Sequence, residues 1–162
     1  MSSREITPSA VAEAIVQAVA ELLAESHGTF REAVTGMSAE ALSWRPDAPD
    51  TNSIVVLVSH SLDAERFMLN AALDLTVERD RAAQFEREDV SSQRLLEEID
   101  ASEVENARLL GAMTAEHLVA LTARRSTRSG VAWLTRAAVH TREHAGQAML
   151  TRDLALAALG GG

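Results

Sequence analysis

A chain of 162 residues with a formal charge of −9 presents a field that repels phosphate backbones, which argues against nucleic-acid binding. It has no cysteine and all 15 basic residues are arginine, so disulfides, thiolate metal sites, a cysteine nucleophile and a lysine Schiff base are excluded. Hydrophobic residues make up 46 %, enough for one globular domain with a real core, and the missing cysteines fit a cytoplasmic setting.

The N-terminus lacks a basic leader followed by an apolar run, so no signal peptide is expected. Nor does any uncharged stretch reach the ~20 residues of a membrane span. The first helix is predicted to open at Pro8-Ser9. Val11, Ile15, Val19, Leu22 and Leu23 carry it at helical spacing to about Val34, and Gly36 stops it. His27 lies inside this pattern and reads as an exposed or boundary histidine. Residues 37–52 form a long connection with one short turn capped by Ser38, broken by Pro46 and Pro49. Trp44 is expected to be a packing lid over one end of the bundle, with lining a pocket mouth as the other reading.

A second helix is predicted over 53–78, capped by Asn52-Ser53, with His60 at the edge of its apolar face. Alone, His60 reads equally as a core histidine or a ligand. Residues 78–89 are charge-rich and read as a solvated linker. A third helix is predicted over 92–112, capped by Ser91 or Ser92, followed by a short turn at 114–118 with His117 on the surface. Residues 119–130 are irregular and basic. Arg124, Arg125 and Arg128 there either balance nearby acids or receive a carboxylate-bearing ligand. Ser129-Gly130 opens a fourth helix to about 158, and 160–162 read as a flexible tail.

On the fourth helix Trp133, Ala137, His140, His144, Gln147 and Thr151 fall on one stripe, unusually polar for an inward face. Two histidines four apart project from one side of a helix. With His60 from the second helix they supply three imidazoles, suited to zinc, nickel, copper or ferrous iron. Three nitrogens leave a fourth position open, as in catalytic rather than structural zinc sites. Each imidazole needs a partner for its other nitrogen, and Asp63, Glu65 and Glu143 are candidates.

Two other motifs fail on their missing acids. His140-Thr141-Arg142-Glu143-His144 also matches the H-x-x-E-H protease string, which needs a glutamate ligand far downstream; the only acid after His144 is Asp153. A di-metal carboxylate bundle needs Glu-x-x-His twice, and no glutamate stands three residues before any histidine.

Three segments, Leu42-Ser43-Trp44-Arg45-Pro46, residues 52–66 and His140-Thr141-Arg142-Glu143-His144-Ala145-Gly146-Gln147, resemble the DinB/YfiT-like superfamily of metalloenzymes. The resemblance implies an all-α protein: a four-helix bundle, up-down-down-up, with long connections, forming a single DinB-like domain over 1–159. It implies one divalent ion, zinc or nickel, held by His60, His140 and His144, and a homodimer. Characterised relatives include S-transferases and isomerases that use mycothiol, bacillithiol or glutathione. A thiol-dependent S-transferase acting on an electrophilic small molecule is the activity the resemblance implies. The alternative is a non-catalytic stress-response protein that binds a metal or ligand. The catalytic residues beyond the metal ligands are not identified by sequence.

Overall fold

The computed structural model describes residues 6–88, 90–121 and 128–160. Among them are seven helices and no sheet, only an isolated bridge between Leu121 and Ser129. Four helices are long: α1 (Pro8–Val34), α3 (Ile54–Ala72), α5 (Ser92–Gly111) and α7 (Gly130–Leu159). Three are single turns: α2 (Ala39–Ser43), α4 (Arg81–Phe85) and α6 (Ala115–Val119). None is long and apolar enough to cross a membrane. The tail expected at 160–162 lies outside the described residues beyond Gly160.

Hydroxyl caps set the starts. The side chains of Thr7, Ser38, Ser53, Ser91 and Ser129 each accept the backbone N–H three residues on, which satisfies a donor the helix itself leaves unmet. Gly36, at φ +75°, supplies the left-handed turn after α1. α3 stops six residues short of the predicted end at 78. Asp74 adopts φ +55°, a conformation acids tolerate and helices do not, and the N–H groups of Asp74 and Leu75 turn back to Ala71 and Asn70. Gly130 is required at the start of α7, where a Cβ would collide with the carbonyl oxygen of His117. His117 itself closes the N-terminus of α6 in a capping box with Thr114.

Each of α1 and α3 packs against both α5 and α7. Two apolar clusters fill the interior. One joins Phe30, Val34, Leu42, Ile54, Val58, Leu95, Ile99, Ala145 and Ala148, with Trp44 packed against it. The other joins Val19, Leu23, Met68, Leu69, Leu109, Leu134 and Ala137. α3 is buried on nearly every side because α2 and α4 cover what α5 and α7 leave open.

Two expectations are corrected here. His27 is neither exposed nor at a boundary; it is 1 % exposed. Its Nε2 lies 2.9 Å from Glu65 Oε2, and that partner stands 38 residues away in sequence. The solvated linker expected at 78–89 is corrected in part: over 78–88 most residues are exposed, as expected, but they hold α4, capped by Asp80, and Arg79 and Arg87 turn back onto the long helices. Arg79 donates to Asp63, and Arg87 donates to Ser59 at 2.6 Å and to both carboxylate oxygens of Glu98 at 2.9 Å. Glu78, Asp80, Arg81, Glu86 and Glu88 stay exposed, so only the two paired arginines depart from a solvated face.

Candidate metal centre

α3 carries His60 and α7 carries His140 and His144, and the extensive packing of these two helices brings the rings together. Ring centroids are 5.1 Å apart for His60 and His140, 5.4 Å for His60 and His144, and 4.4 Å for His140 and His144. One ring nitrogen from each lies within 4.8 Å of the other two, a grouping that can hold a metal ion. His60 is buried, while His140 and His144 are half-buried. They line a cavity of about 460 Å³ together with Asp50, Asn52, Val56, Leu57, Arg81 and Phe85. That is an ordinary size for a small-molecule site.

Hydrogen bonds select the ring tautomers. Asp63 Oδ2 accepts from Gln84 Nε2 at 2.6 Å. A carboxylate offers only acceptors, so the amide must turn its N–H₂ toward Asp63 and its Oε1 toward His60. Gln84 Oε1 then accepts the Nδ1–H of His60 at 3.2 Å, which leaves Nε2 with the lone pair. His144 Nδ1 lies 2.7 Å from Gln147 Oε1, and as an Nδ1–H donor to it would likewise leave Nε2 with the lone pair. His140 Nδ1 is buried with no hydrogen-bond partner. A buried polar atom without a partner is costly, and a ligated cation in this group is the kind of neighbour that offsets the cost.

The electrostatics favour neutral rings at His60 and His140. Desolvation lowers the pKa of His60 against the pull of Gln84, and the nearby charges of Arg79 and Arg81 push the same way. Desolvation, then His144 and His60, takes His140 down to about 4. Neutral imidazoles with free lone pairs are what a divalent ion requires. Asp63 is partly desolvated, yet the hydrogen bonds from Arg79, Arg66 and Gln84 hold it below the usual carboxylate range, so it stays an anion behind His60. The donor set therefore fits a divalent metal ion that accepts imidazole nitrogen.

Asp63 thus meets His60 through Gln84, not directly. Glu143 is exposed, and Gln147 is the residue that pairs with His144. Glu65, one of the candidate imidazole partners, instead accepts from Asn106 at 2.6 Å and Thr141 at 2.9 Å and meets His27. Trp44 packs on the apolar core and is absent from the cavity lining. Arg128 lies over the Trp133 ring at 5.4 Å, away from that lining. Arg124 and Arg125 lie outside the described residues. Sequence reasoning missed Gln84, Gln147's role, Phe85 and Arg81. Asp80-Arg81-Ala82-Ala83 was a legible cap signature, and Phe85 was the one aromatic in a charged run.

A family model described as the DinB superfamily matches residues 22–148, a span that contains all three histidines and Gln84. No curated protein and no solved structure matches the chain.

Proposed function

The chain belongs to the DinB superfamily, and from that premise we propose that it is a metal-dependent enzyme acting on small molecules, an S-transferase that uses an external low-molecular-weight thiol. The observation that carries the reading is the convergence of three imidazoles from α3 and α7 on an open cavity, two of them hydrogen-bonded at Nδ1 to a glutamine. His60, His140 and His144 would hold the ion, zinc or nickel. Such an ion supplies Lewis-acid chemistry, lowering the pKa of a thiol into the neutral range.

The chain's own residues do the rest. Gln84 and Gln147 orient two imidazoles and keep a lone pair directed away from the hydrogen-bonded nitrogen. Asp63, anchored by Arg66 and Arg79, holds Gln84 in place. Val56, Leu57 and Phe85 give the cavity an apolar side against which an electrophile can lie and from which they exclude water. With no cysteine in the chain, the thiol comes from a cosubstrate: mycothiol, bacillithiol or glutathione.

The same reading takes the four long helices as an up-down-down-up bundle. It is supported by the sharing of one apolar cluster between the C-terminal parts of α1 and α7 and the N-terminal parts of α3 and α5. A homodimer and a cytoplasmic location belong to the proposal as well. The test is turnover of an electrophile such as 1-chloro-2,4-dinitrobenzene with each thiol. Activity with one thiol, lost in His140→Ala while the circular dichroism spectrum persists, supports it. Tight ligand binding without turnover under any thiol moves the reading to a non-catalytic binding protein.

A further inference from the structure

Three of the four arginines on α3 and in residues 79–87 are committed, and the fourth is the one that lines the histidine cavity. Arg66 and Arg79 pair with Asp63, and Arg87 pairs bidentately with Glu98. Arg81 is the exception: among the described residues no carboxylate forms an ion pair with it. Its guanidinium lies over the Phe85 ring at 5.5 Å, one helical turn away on α4. Phe85 in turn stacks against His60, with centroids 5.2 Å apart. Arg81 lines the same cavity as the three histidines. Its head group is thus held beside the imidazoles by the aromatic ring while its N–H donors stay free.

We propose that the small molecule taken by this cavity carries a carboxylate, and that Arg81 is the residue that receives it. The proposal rests on the metal-centre reading above and adds the ligand's charge to it. A guanidinium presents a planar fork of donors that matches a carboxylate two-to-two. With a divalent ion held by the three imidazoles, Arg81 and Asp50 would leave the cavity net positive, which suits an anionic group. Arg81 is solvent-exposed, so its contribution is modest and sensitive to salt.

The test uses two probes that differ only in this group, 3-mercaptopropionate and 3-mercaptopropionamide, titrated calorimetrically into zinc-loaded protein and into its Arg81→Gln variant. The expected result is that the carboxylate binds about fivefold to tenfold tighter than the amide in the parent. In Arg81→Gln the preference disappears while the amide binds as before, and added salt shrinks the preference in the parent alone. Equal binding of the two probes by the parent, or an unchanged preference in Arg81→Gln, overturns the proposal. The same titrations are read on metal-free protein through the His60 ring resonances. Failure to take up zinc therefore sinks the metal reading while the carboxylate preference is still measured. Binding of neither probe in either form also overturns the proposal.

Discussion

Glu65 and His27 meet at 2.9 Å in the interior, and neither is more than 1 % exposed. The carboxylate on α3 also takes hydrogen bonds from Asn106 on α5 and Thr141 on α7. All four long helices are therefore joined at one buried acid. Thr141 directly follows His140 in the chain, and Glu65 is five residues past His60, so this junction fixes the register of the two helices that carry the imidazoles.

Truncating Glu65 strands three polar partners in an apolar interior. Glu65→Ala is expected to lower unfolding free energy by about 3–5 kcal/mol, the range for breaking a buried charged network. Glu65→Gln keeps the shape and part of the bonding, so it should cost less. Urea unfolding of the two variants checks the order. A Glu65→Ala protein as stable as the parent would mean the junction contributes nothing.

Gln84 should matter for the metal and hardly at all for the fold. It is half-buried on a single-turn helix, but among the described residues it is the only acceptor at His60 Nδ1. Gln84→Leu releases the ring to either tautomer, and zinc affinity is expected to fall about tenfold to a hundredfold. Competition titration against a chromogenic chelator measures this, with thermal unfolding of the metal-free protein as the control.

Much of this was legible in the sequence because the signals are local. Helical spacing of Val19, Leu23 and Phe30 marks α1, and the hydroxyls of Ser53, Ser91 and Ser129 mark the starts of α3, α5 and α7 almost to the residue. His140 and His144 four apart need no long-range information. What could not be read depends on partners distant in the chain. His27 looked like a surface residue because Glu65, its reason for being buried, is on another helix. Arg79, Gln84 and Arg87 looked solvated because Asp63, His60 and Glu98 lie 11 to 24 residues away. The early end of α3 rests on one left-handed aspartate, a conformation that residue type permits without demanding.

Acid should destabilise the metal-free protein before it reaches the carboxylate range. His140 titrates at about 4 in the fold and near 6.5 when unfolded. The unfolded chain therefore binds more protons between those values, and stability falls as pH drops from about 6.5 to about 4. His60, also lowered, adds to the same slope. Below that window Asp63 and Glu103 add their own loss, because each is held below its ordinary range in the fold: Glu103 by Arg31, Asp63 by its arginines against its desolvation. Thermal unfolding of chelator-treated protein across this range, compared with His140→Ala, checks the sign. The variant should show a shallower loss between pH 6.5 and 4.

The central claim is that His60, His140 and His144 act together as one ligand set. Elemental mass spectrometry of the purified protein, with and without incubation in zinc or nickel, tests it most directly. The account predicts one divalent ion per chain, lost on replacing any of the three histidines by alanine while the helical content is kept. A parent protein that carries no ion and takes up neither zinc nor nickel, or three variants that retain the ion, would contradict it.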